Sequence, residues 1–142
     1  MVQGRLLKPT HKAEEPLDMY LEWIEKLKRA SKSRIVLVKH KSDADVLQSL
    51  GVKNLIYYTE PEEDLIQRIV GMKKECLLLI DADRPNNELS ERIESRLQQE
   101  GIKVNTRFRK ILFLSPFREL SGLLAYVHKH LTDTPRKHFG QL

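Results

Sequence analysis

Ile35-Val36-Leu37-Val38-Lys39-His40-Lys41-Ser42-Asp43 and Leu77-Leu78-Leu79-Ile80-Asp81-Ala82-Asp83-Arg84 decide the fold of this chain. Each stretch opens with a short, unbroken apolar run and closes on polar residues, which is the pattern of a strand buried on both faces in a parallel sheet. Ligand sites in open α/β sheets form just beyond the carboxyl ends of such strands. Any chemistry is therefore expected around residues 39–43 and 81–84. Two acids separated by one residue, as Asp81 and Asp83 are, form a common ligand pair for a divalent cation. The first strand ends instead in Lys39 and His40, so the expected crevice is mixed in charge.

Outward from these two runs, the chain alternates strand and helix. Leu17, Leu21, Ile24 and Leu27 share a helical stripe that begins at Pro16. After the strand at 35–39, Ser42 is a candidate cap for a helix with Asp45 at its third position, Val46, Leu47 and Leu50 facing inward, and Gly51 at the carboxyl end. Leu55 to Tyr58 reads as the second strand. Thr59-Glu60-Pro61-Glu62 has capping-box spacing and leads into Leu65, Ile66, Ile69 and Val70, with Gly71 as the stop. Cys76 to Ile80 is the third strand. Asn86 or Asn87 is expected to cap the next helix, which carries Leu89, Ile93 and Leu97 and ends at Gly101. A fourth strand is expected from Ile102 and a fifth from Ile111 to Leu114, after which Ser115-Pro116 opens a last helix bearing Leu120, Leu123, Leu124, Val127 and Leu131. Parallel neighbours need crossovers, so this order predicts a mostly parallel sheet with helices on both faces.

A length of 142 residues suits one domain with a real core. The expected organisation is a basic arm over residues 1–14, carrying Arg5, Lys8, His11 and Lys12, a domain over 15–131, and a polar tail over 132–142 with Arg136, Lys137 and His138. A net charge of +5 favours anionic partners, nucleic acid first among them. No apolar segment has signal-peptide or membrane-spanning character, so a soluble, cytoplasmic protein with no membrane partner is expected. Cys76 is the lone cysteine and opens an apolar strand, which makes it a core residue rather than a nucleophile. Tyr20 and Trp23 are read as packing residues of the first helix, and His128, Lys129 and His130 as cations complementing the end of the last one.

Val38-Lys39-His40-Lys41-Ser42-Asp43 resembles the opening motif of Toprim domains, which reads valine-glutamate-glycine with an aspartate three residues after the glycine, and Asp81-Ala82-Asp83-Arg84 matches the Toprim aspartate pair. The resemblance spans roughly residues 17–131 and is closest to small archaeal single-domain Toprim proteins related to the 5S ribosomal RNA maturation nuclease. Leu50-Gly51, Arg107-Phe108-Arg109 and Glu119-Leu120 are similar to its helix-to-glycine turn, arginine stretch and late glutamate motif. It implies an α/β, Toprim-like (Rossmann-like) fold, a glutamate acting in acid/base chemistry, and aspartates that hold magnesium. Here Lys39 stands where the glutamate belongs and His40 replaces the glycine, while Pro85-Asn86 replaces a basic residue and glycine.

A lysine near two carboxylates supplies the positive charge that a cation would bring, and repels a divalent ion. The expectation is that Lys39 fills the metal position and pairs with Asp81 or Asp83, so that magnesium binds there weakly or not at all. Lys39 and His40 remain the catalytic candidates, Asp43 a further site candidate, and Lys41, Arg84, Arg107, Arg109 and Lys110 the nucleic-acid contacts, with Arg107 and Arg109 on one side of an extended segment. The expected function is RNA-related nucleic-acid binding at a degenerate catalytic site, structured RNA being the favoured partner. An active magnesium-dependent nuclease, with Glu119 or Asp43 replacing the missing acid, and a protein-interaction module in a replication or RNA-processing assembly, folding its arm or tail on a partner, are the alternatives.

Overall fold

The computed structural model describes the backbone of residues 8–133 and the side chains of residues 16–131. The elements are α1 (Lys8–Ser31), β1 (Ile35–Val38), α2 (Lys41–Ser49), β2 (Leu55–Tyr57), α3 (Glu62–Met72), β3 (Cys76–Leu79), α4 (Arg84–Gln99), β4 (Val104–Asn105), a 3-10 turn (Arg107–Arg109), α5 (Lys110–Leu114) and α6 (Leu120–Asp133). The four strands form one parallel sheet in the order β2-β1-β3-β4. This is the expected α/β, Rossmann-like architecture. The side chains of the basic cluster expected in the arm, and the tail beyond residue 133, lie outside the described residues.

Alternation along the strands divides the core in two. Val36, Val38, Leu77 and Leu79 face a layer built from α1, α2, α5 and α6, with Leu27, Leu47, Leu112 and Leu123 among its buried members. Ile35, Leu37, Cys76, Leu78 and Ile80 face the opposite layer, where Leu65, Ile66 and Ile69 of α3 meet Leu89, Ile93 and Leu97 of α4. Burial pushes the Cys76 thiol up to about 12, so it behaves as a small core residue, as expected. Tyr20 and Trp23 are packing residues too: Trp23 donates its indole N–H to the Phe108 carbonyl at 3.0 Å. Gly51 and Gly101 follow α2 and α4 with φ of 102° and 86°, the left-handed geometry that a carboxyl-terminal cap demands.

Several elements differ from expectation. The apolar run Ile111–Leu114 is not a fifth strand but the helix α5. Ile111 and Leu112 are buried while Phe113 and Leu114 are exposed, and this pairwise pattern fits a helical turn, not strand alternation. Pro16 lies inside α1 rather than opening it, and the helix reaches back into the expected arm. α3 runs past Gly71 to Met72 and is closed by Lys73 at φ 56°. α6 starts at Leu120 instead of Pro116, and β4 is the short pair Val104–Asn105 rather than a strand from Ile102. Among the described residues no helix is long and apolar enough to cross a membrane.

Candidate functional site

β1 and β3 are neighbours in parallel register, Val38 opposite Leu79, so the residues that follow them meet at one edge of the sheet. The alternation that sorts the core also sorts these side chains. His40 continues the face of Val38, Asp81 continues that of Leu79, and the two meet with His40 Nε2 3.7 Å from Asp81 Oδ2. Lys39 continues the face of Leu37 on the other side of the sheet. Its ammonium lies over the Tyr58 ring, 5.5 Å from the centroid, and it makes no ion pair with Asp81 or Asp83. The expected Lys39 pairing with the aspartates is therefore overturned by strand geometry, and the His40 imidazole is the side chain that stands against Asp81 instead.

Asp81 is 3% exposed, and its Oδ1 accepts the backbone N–H of Leu120 at 2.9 Å, the first residue of α6. A carboxylate at a helix amino terminus is favoured by the unpaired N–H groups there. The Ala82 N–H donates to the Arg118 carbonyl, which draws the segment ahead of α6 over the crevice. Asp83 serves a different helix. It is the N-cap of α4, accepting the Asn86 backbone N–H at 3.1 Å, while the Asn86 amide nitrogen donates to both of its oxygens. The expected caps Asn86 and Asn87 give way to it, because Pro85 fits the first turn and leaves residue 83 outside the helix.

Asp43, in the first turn of α2, is 2% exposed, and its Oδ2 has no hydrogen-bond partner. Its carboxyl is pushed up to about 6, first by burial and then by the nearby Asp81 and Glu119 charges, with His40 opposing them. His40, not Ser42, occupies the N-cap position of α2 and keeps 54% of its side chain exposed. Lys41 pairs with Asp45 at 3.1 Å on the surface, and that hydrogen bond raises the lysine.

The arginine stretch folds differently from the extended segment expected. Arg107 and Arg109 lie in the 3-10 turn, and Arg109 is 8% exposed. Its guanidinium donates to the carbonyls of Ile80 and Asp81 and to the Asn87 side chain, and burial lowers its pKa. Arg109 thus ties the end of β3 to the start of α4 and is not free for a phosphate. Arg107 is exposed but lines a groove with Trp23, Lys26 and Arg34 on the side of β4, apart from His40 and Asp81. Arg84 and Lys110 are exposed, at the starts of α4 and α5.

A magnesium centre does not fit this arrangement. Asp81 and Asp83 are both engaged as backbone acceptors, each at a different helix, and His40 stands against Asp81. Among the described residues, no group of three or more histidine, cysteine or acidic side chains converges as metal ligands would.

The fold and edge define a Rossmann-like α/β protein with two buried acids, Asp43 and Asp81, at the carboxyl edge of its sheet. No family model matches the chain. It is 33% identical over 124 residues to UPF0292 protein MJ1624 of Methanocaldococcus jannaschii, an alignment covering 83% of this chain and 97% of that protein. The chain belongs to the UPF0292 family. A solved structure of a protein from Aquifex aeolicus is similar in fold, with a TM-score of 0.66 and 26% identity over 71% of this chain and 94% of the other.

Asp43's burial and the Leu120 contact to Asp81 have no signal in local sequence, because both depend on the packing of a distant helix. Asp43 sits where a first-turn acid normally faces water. Here α6 packs against α2, with Ser121 and Leu124 across from Asp43, and the strand-end residues His40 and Asp81 lie close to it.

Proposed function

We propose that this chain is a Toprim-like protein that binds RNA through the carboxyl edge of its sheet, at a site no longer built for metal-dependent catalysis. The observation that carries this reading is the division of labour at that edge. Its strand-end acids serve as internal hydrogen-bond acceptors, while Arg84, Lys110 and Arg118 stand exposed without ion-pair partners among the described residues. Free cations gathered around a crevice suit a phosphate backbone, and the resemblance at Asp81-Ala82-Asp83 points the same way.

The rival basic area supports the choice by contrast. In the groove beside β4, Lys26 is paired with Glu22 at 3.8 Å and Arg34 with Glu75 at 2.8 Å, which leaves Arg107 as its only cation without an ion pair among the described residues.

The test is fluorescence anisotropy with a labelled oligoribonucleotide, in EDTA and in magnesium. Binding of equal strength in both, weakened by salt, is expected. Absence of salt-dependent binding would remove the nucleic-acid reading. Magnesium-dependent cleavage that Asp81→Asn abolishes would replace it with a nuclease.

A further inference from the structure

Phe113 and Leu114 are the two large apolar side chains that α5 turns outward, 43% and 81% exposed. Phe113 differs from an incidental surface aromatic in what lies against it. The Arg109 guanidinium stacks on its ring, 5.1 Å from the centroid, and Arg109 is itself fixed to the Ile80 and Asp81 carbonyls and to Asn87. An exposed ring is thus held in a set orientation by a buried cation anchored on the last residues of β3. Lys110 precedes Phe113 by one helical turn, on the same side of α5. Arg84 lies one turn before Asn87, which Arg109 also touches, and neither Lys110 nor Arg84 has an ion-pair partner among the described residues. The carboxylates whose fields act on Arg109, namely Asp81, Glu91, Asp83 and Glu94, are set against that buried guanidinium.

Building on the nucleic-acid reading above, we infer that Phe113 is a stacking surface for an unpaired nucleobase, with Lys110 and Arg84 taking the adjoining phosphates. Stacking on an aromatic face is tolerant of base identity and available only where the base is not already stacked in a duplex. A flat ring one turn from Lys110, and joined to the start of α4 through Arg109 and Asn87, suits the alternation of base and phosphate along a single strand. The contact with the anchored Arg109 restricts the ring, so less side-chain entropy is lost when a base arrives.

The experiment compares a mixed-sequence single-stranded oligoribonucleotide with a duplex of the same sequence by anisotropy at low salt. Phe113→Ala is expected to weaken single-strand binding about five-fold or more and to leave duplex binding unchanged. Phe113→Leu, which keeps apolar bulk without a π face, should lose as much, and Phe113→Trp should bind and show indole quenching on titration. Circular dichroism of each variant controls for folding. Equal single-strand affinity in Phe113→Ala and the parent overturns the stacking role while the nucleic-acid reading stands. Failure of the parent to bind either oligonucleotide overturns both. A shift in sedimentation with no change in oligonucleotide affinity would make this face an interface between copies of the chain.

Discussion

Asp43 carries a charge that its surroundings resist. Its pKa rises from 3.8 to about 6 on folding, so between those values the folded state holds a proton that the unfolded chain has released. Stability contributed at this position therefore falls as pH rises through that window, and the penalty is complete above it. Asp43→Asn removes the titration and is expected to stabilise the protein by on the order of 2 kcal/mol at pH 7.5, with the gain gone at pH 4. Thermal melts of both proteins at the two pH values measure it. Position 39 gives the complementary test. Because strand alternation turns that side chain toward Tyr58 and away from Asp81, Lys39→Glu is expected to leave magnesium affinity unchanged in calorimetric titration. A clear gain would mean that residue 39 reaches the aspartates.

Between elements, the acids divide into those that hold helices and those that join them. Glu62 joins α3 to α4, accepting from Arg92 at 2.8 Å and from Arg96 at 2.9 Å, while Arg96 also reaches Glu63. The Arg92 hydrogen bonds, aided by Arg96 and Tyr58, lower the Glu62 carboxyl to about 2. A depressed acid contributes stability above its ordinary value of 4.5 and loses it as pH falls toward about 2. Glu62→Gln is expected to cost about 1–2 kcal/mol at pH 7, read from urea midpoints, and the two proteins should converge near the folded-state value. At α4 the N-cap assignment predicts that Asp83→Ala costs about 1 kcal/mol, whereas Asp83→Asn is nearly silent in the same urea series. The elements that were readable from the chain were those with long apolar runs or clear stops: β1, β3, and the helices closed by Gly51 and Gly101. Short segments were not, since four apolar residues at 111–114 satisfy either period and only the core beneath them selects a helix. For the same reason the crevice itself was legible from strand-end composition, but its pairings were not. Whether Lys39 or His40 meets Asp81 depends on which face each strand turns to the sheet, and Arg109 joined the interior only once its segment curled into a turn.

Across the whole molecule, the net charge of +5 matters less than where unpaired cations gather. An all-parallel sheet brings the ends of every strand to one edge, so residues far apart in sequence, such as Lys41, Arg84 and Lys110, share a single rim. Lys41 contributes despite its Asp45 partner, because an exposed pair of this kind is worth little and is readily exchanged for phosphate. If that rim binds a nucleic-acid backbone, each cation that neutralises a phosphate releases a counterion, and log K falls linearly with log salt in proportion. Replacing all three by alanine is therefore expected to flatten the single-strand salt slope by about 2, alongside the loss of affinity. The groove beside β4 supplies the contrast within the same protein. Arg107→Ala should leave the slope unaltered, and a slope that follows Arg107 while ignoring the rim would move the contact surface from the strand ends to the flank of the sheet.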